Sequence, residues 1–129
     1  MELAGKIRVH QVHPVKVGAD VTASAVSNIL LWRARPKTAL AVRILLPVAG
    51  SLAVLGLADL DALATTGPGQ YVLRHMPPSA QAVRLAGDAV MAIGARRHRP
   101  ALLIGGAAII AVGWSHALWP GGQVRAPVW

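Results

Sequence analysis

TALAVRILLPVAGSLAVLGLA, residues 38–58, decides the fold. Only Arg43 and Pro47 interrupt its apolar character, and its 21 residues match the roughly 20 that an α-helix needs to cross about 30 Å of hydrocarbon. Arg43 lies near a basic turn towards which its long side chain can snorkel, and Pro47 predicts a kink rather than an end. A second stretch, ALLIGGAAIIAVGWSHALW at 101–119, carries no charge when His116 is neutral. Both read as spanning helices.

The segments before them are apolar but mixed. Residues 15–32 carry Asp20, Ser24, Ser27 and Asn28, whose spacings of four, three and one fall along one helical face. Residues 79–95 do the same with Arg84 and Asp88. Each predicts a helix with one side towards lipid or protein and one polar side turned into a bundle, in preference to a helix lying in the interface.

An internal repeat supports spanning. Pro14 and Pro36 bracket the first mixed segment, Pro78 and Pro100 the second, and both pairs are offset by 64. At that offset Ala25 meets Ala89, Val26 meets Val90, Ile29 meets Ile93, Arg33 meets Arg97 and Arg35 meets Arg99. Proline suits these positions because its fixed φ and missing N–H are harmless in a first helical turn. The expected fold is therefore all-α: one membrane domain over 1–129, a bundle of about four transmembrane helices built as a duplicated helical hairpin. The hairpins cover about 14–58 and 78–119, joined by a loop at 59–77 and followed by a tail at 120–129. Within the loop, Thr65-Thr66-Gly67-Pro68-Gly69 marks a turn, followed by a short connector.

Composition agrees. Hydrophobic residues make up 54% of the 129 and charged residues 14%, against roughly 25% charged in soluble domains. The formal charge of +8 is concentrated in two clusters, Arg33, Arg35 and Lys37 and then Arg96, Arg97 and Arg99. Each stands between apolar stretches, with no aromatic interleaving for stacking on bases. Nucleic acid is thus not an expected partner, and the basic turns at 33–37 and 96–99 are expected to be cytoplasmic in a bacterial inner membrane. Trp114, Trp119, Trp129 and Tyr71 would then form an outer aromatic belt, with Trp32 on the inner side. Residues 1–16 lack a continuous apolar run and a small-residue cleavage site, so no removable signal peptide is expected. The absence of cysteine excludes disulfides, thiolate metal sites and cysteine nucleophiles.

Three sets of residues are candidates for function. Asp20, Arg84 and Asp88 are ionisable groups within membrane helices and read as an intramembrane charge cluster, either an ion path or an interhelical clasp, with the clasp the simpler account. Ala107, Ala111 and Ser115 form a small-residue stripe suited to close helix packing. His10, His13, His75 and His116 all fall on the expected outer side, where imidazoles can bind a metal or a haem iron, although their spacing matches no specific metal motif.

No nucleophile elbow, phosphate loop, zinc-protease helix or paired-acid arrangement occurs, so an enzyme is not expected. The leading expectation is a non-catalytic accessory or structural subunit, with the bilayer and other membrane subunits, or its own copies, as partners. One alternative is a homo-oligomeric transporter or channel using the intramembrane charges. The other is a metal- or haem-binding protein using the outer histidines.

Overall fold

A computed structural model describes residues 2–75 and 78–115. Among them every element is helical: α1 (Leu3–Val9), a 3-10 turn (His10–Val12), α2 (Pro14–Trp32), α3 (Pro36–Leu57), α4 (Leu60–Ala64), α5 (Gly67–His75), α6 (Pro78–Arg96) and α7 (Pro100–Trp114). Helix starts follow the prolines, with Pro14, Pro36 and Pro100 in first turns as their missing N–H permits. His13 adds a cap to α2, its ring nitrogen accepting from Val15 N at 3.2 Å.

The bounds of α2 and α6 are offset by 64 residues at both ends, and those of α3 and α7 at their starts. The turns between them match bond for bond. Arg33, Ala34 and Arg35 N–H donate to Ile29, Leu31 and Leu30 O, while Arg97, His98 and Arg99 donate to Ile93, Ala95 and Gly94 O. This is the Schellman arrangement, which requires a left-handed residue, here Ala34 (φ 58°) and His98 (φ 53°) rather than glycine. Pro36 and Pro100 then prevent the preceding helix from continuing.

α2 packs on α3, α6 on α7, and the hairpins meet along α2 and α6. Equivalent residues lie level across that seam, Ser24 beside Asp88, and the Trp32 and His98 rings stand 4.5 Å apart. The two mixed helices therefore run in the same direction, and both basic turns share one end of the molecule. Close approach within the second hairpin rests on glycine: a Cβ on Gly87 would lie 2.7 Å from Gly106 O, and one on Gly106 would lie 2.6 Å from Gly87 O.

The opposite end differs from the sequence expectation. Residues 59–75 are largely helical rather than loop, and α1 packs on the two helices there, α4 and α5. Between α4 and α5, helix breaks only at Thr65 and Thr66. Gly67-Pro68-Gly69 instead opens α5, because Gly69 fits directly against α4, where a Cβ would meet Leu63 O at 2.1 Å. Arg8 fastens α1 to α5 by donating to Val72 and Leu73 O, both at 2.9 Å, where the last turn of a helix leaves carbonyls without partners. Tyr71, assigned from sequence to an aromatic belt, donates its hydroxyl to Trp114 O at 2.5 Å. Trp119, Trp129 and the tail at 120–129 lie outside the described residues.

Among the described residues one helix, α3, is long and apolar enough to cross a membrane, with a mean hydropathy of 2.1 over its most apolar stretch. It runs unbroken through Pro47. α7 is apolar but spans 15 described residues, about 22 Å at 1.5 Å per residue. α2 and α6 have 19 residues each, about 28 Å, but both carry charges.

Candidate functional site

Polar side chains of the 3-10 turn, α2, α3 and α6 form three successive groups along a seam between the helices. At its basic-turn end, Arg43 of α3 donates through Nη2 to Asn28 Oδ1 at 2.8 Å and to Asp88 Oδ1 at 3.3 Å. Ser24 donates to the same Asp88 oxygen at 3.3 Å and accepts from Asn28 Nδ2 at 3.5 Å. Ser27, fully buried, turns its hydroxyl back to Ser24 O. Helical spacing along α2 dictates this grouping, since residues 24, 27 and 28 share one face. Arg43 joins them because the Schellman turn brings α3 back along the same side.

Further along, Lys16 is 5% exposed and donates to Asp20 Oδ1 at 2.5 Å and to Pro47 O at 3.2 Å. The Lys16–Asp20 spacing of four is the favourable helical one for an ion pair. Next comes His10, also buried. Its Nδ1 donates to Ile7 O, so in the neutral ring Nε2 is the acceptor for Ser51 Oγ–H at 3.1 Å. Burial pushes the His10 pKa below its ordinary value, with Lys16 adding to the effect and the bond to Ile7 O and the Asp20 charge opposing it. Arg8, outside the seam, is likewise lowered by burial.

The three charges singled out from sequence are thus distributed over different partners. Asp20 pairs with Lys16 and Asp88 with Arg43, while Arg84 bonds Gln81 Oε1 and lies over the Trp114 ring at 4.2 Å. Asp20 remains within electrostatic reach of Arg84. Sequence reasoning missed Lys16 and Arg43. Lys16 was findable from its spacing to Asp20, and Arg43 from being the one charge within the most apolar stretch, a position that calls for a polar partner.

The histidines do not converge. His10 is in the seam, His13 caps α2, and His75 packs against Tyr71 with ring centroids 5.5 Å apart. Asp59 caps α4 by accepting from Ala62 N at 3.0 Å. Among the described residues no three His, Cys, Asp or Glu side chains are grouped to hold a metal, and His116 lies outside them. In the small-residue stripe, Ala107 and Ala111 are exposed and Ser115 is half-buried, whereas the glycines facing α6, Gly106 and Gly113, are buried.

As chemistry, the seam offers two ion pairs, Lys16–Asp20 and Arg43–Asp88, the hydroxyl and amide groups of Ser24, Ser27 and Asn28, and one hydroxyl–imidazole contact, Ser51 Oγ–H to His10 Nε2. The chain matches no known protein family, no curated protein and no solved structure.

Proposed function

We propose that this chain is a non-catalytic integral membrane protein whose helices α2, α3, α6 and α7 cross the bilayer, and that it serves as a subunit packing against other membrane proteins. The observation that carries the membrane reading is where polar and apolar groups lie. His10, Lys16, Ser27 and Asn28 are buried, while Leu40, Leu45, Leu52 and Leu57 on α3 are exposed, Leu57 at 89%. Only 11% of α3's most apolar stretch is buried. A core helix of a water-soluble protein hides that surface, since exposing it costs roughly 25 cal/mol per Å². In lipid the same surface costs nothing, and the buried polar seam supplies the hydrogen bonds that hydrocarbon withholds.

The matching helix bounds and turns support a duplicated hairpin, each copy entering the bilayer in the same direction. Six cations gather at the shared end, which we assign to the cytoplasmic side. The subunit role draws support from the exposed Ala107 and Ala111 on α7. Small residues on an outer face let another helix approach closely.

Carbonate extraction tests insertion, with the protein expected in the pellet. Cysteines introduced at Ala34 and His98 should be shielded from an impermeant external reagent and one at Thr66 should react. A monodisperse soluble species would refute the membrane reading. Labelling of Ala34 but not Thr66 would invert the orientation.

The polar seam favours a second reading, a homo-oligomeric transporter or channel. Asp20 is 40% exposed at its side chain and Asp88 33%, so neither carboxylate is sealed. Ion or proton flux in liposomes, lost in Asp88→Asn, separates this reading from the first.

A further inference from the structure

A groove of about 450 Å³ opens between α3 and α6 at the end where the basic turns meet. Its walls are apolar, from Leu31, Leu40, Ala92 and Ile93, and the charged residues lining it are all arginines: Arg43, Arg96 and Arg97. Arg43 is held within the seam by Asn28 and Asp88. Arg96 and Arg97 are exposed, at the close of α6. Arg33, Arg35, Lys37 and Arg99 extend the same positive end, and the sequence places no acid between Asp20 and Asp59 or after Asp88. The groove is therefore apolar along its length and cationic at one end, with no carboxylate of its own to neutralise Arg96 and Arg97.

That pattern has the two halves of one ligand. We propose that the groove seats a single anionic phospholipid of the leaflet at the basic turns, one of its acyl chains against Leu40, Ala92 and Ile93 and its phosphate on Arg96 and Arg97. Arginine suits the role because its planar fork donates two parallel hydrogen bonds to a phosphate. Basic pockets between membrane helices on the cytoplasmic side are the physical setting in which such headgroups bind. The volume falls within the roughly 300–1,000 Å³ of sites that hold a small organic molecule. A partner helix, about 10–12 Å across, would fit it for only about one turn. Free phosphate would use the arginines and leave the apolar walls uncovered. Complementing the α6 C-terminal dipole accounts for a cation at Arg96, but not for an apolar groove opening beside it.

The inference rests on the membrane reading and is tested so that the two fail separately. The protein is reconstituted into nanodiscs of phosphatidylcholine containing a minor fraction of phosphatidylglycerol with the same acyl chains. Thermal unfolding is then followed by circular dichroism, and retained lipid is counted by native mass spectrometry after release. One phosphatidylglycerol should be retained per chain, and the melting temperature should rise with its mole fraction. Arg96→Gln with Arg97→Gln, both at exposed positions, should weaken retention about thirty-fold, at about tenfold per 1.4 kcal/mol and about 1 kcal/mol per basic residue. Ala92→Trp should abolish retention by filling the groove while leaving every arginine in place. If that variant does not fold, Leu40→Ser on the opposite wall removes apolar contact for the acyl chain and should weaken retention, again with every arginine in place. Arg33→Gln with Arg35→Gln removes equal charge at the same end but outside the groove, and should retain the lipid. Equal loss in both arginine pairs would show diffuse attraction and overturn the site. So would equal retention of both lipids, or the same stabilisation from inorganic phosphate alone. A chain that never enters the disc refutes the membrane reading instead.

Discussion

Arg43 and Asp88 connect the two hairpins directly, and their environment sets what that link contributes. The Arg43 side chain is 18% exposed and that of Asp88 33%, so the pair is neither sealed nor fully solvated. Removing one member strands the other among apolar helices, whereas removing both leaves only a partly filled seam. Arg43→Gln and Asp88→Asn are each expected to destabilise by about 1–3 kcal/mol, with the double variant costing clearly less than the sum. A detergent unfolding cycle measures this, and strict additivity would show that the two charges do not interact. The same cycle on Asp20 should couple to Lys16. His10 sets a pH dependence. Its folded pKa lies below the ordinary value near 6.5, so as pH falls through about 6.5 the unfolded chain takes up the proton first. Stability from this residue is full above that pH and declines below it, until the depressed folded pKa is passed. A melting-temperature series from pH 8 to 5 should slope downwards in the native chain and flatten in His10→Gln. An unchanged slope in the variant would assign the effect to other groups.

At the scale of elements, the second hairpin is held by glycines that the first hairpin largely lacks. Gly106 faces Gly87 O and Met91 N, both backbone atoms that cannot move aside, whereas its neighbour Gly105 has nothing within 4 Å of an added Cβ. Gly106→Ala should therefore separate α6 from α7 and lower the melting temperature sharply. Gly105→Ala should be neutral or slightly stabilising, because alanine favours helix by up to about 1 kcal/mol over glycine. Equal effects from the two would show that α6 and α7 do not pack through this face. Prolines and basic turns were legible in the sequence because they act locally: a proline restricts both its own φ and the residue before it, wherever the helix later packs. Pairing across helices was less legible. Periodicity places Ser24, Ser27 and Asn28 on one face but carries no information about which face α3 presents in return, so Arg43 read as a snorkelling side chain. Nor did the short helices α1 and α5 stand out. Each is under ten residues, too short to be stable alone, and each is held by contacts such as Arg8 to Val72 O that a linear pattern does not reveal.

Considered whole, the molecule has a polar interior seam, a largely apolar outer surface and a positive end. Lipid supplies no hydrophobic drive between helices, so a stable association needs close packing or shared hydrogen bonds. The hydrogen bonds are largely spent inside, on the seam. What α7 offers outwards is shape: Ala107 and Ala111 are exposed one turn apart, on the side away from the Gly106 and Gly113 face that meets α6. Ala111→Leu therefore adds bulk outside the monomer, and the fold should persist, with an unchanged circular dichroism spectrum and melting temperature. If the chain is a subunit seated through α7, mild-detergent extraction and native electrophoresis should show the native protein migrating within a larger assembly and the leucine variant released from it. Gly106→Ala should instead lose both the fold and the assembly, which separates an outer contact from an inner one. A leucine variant that stays in the assembly would move the contact to another face, such as exposed Leu45 and Leu52 on α3. A native chain that runs as a folded monomer under several gentle conditions would end the subunit reading, and a homodimer with no other component would turn the choice to the transporter or channel, where flux through the Asp20 and Asp88 seam becomes the measurement that decides.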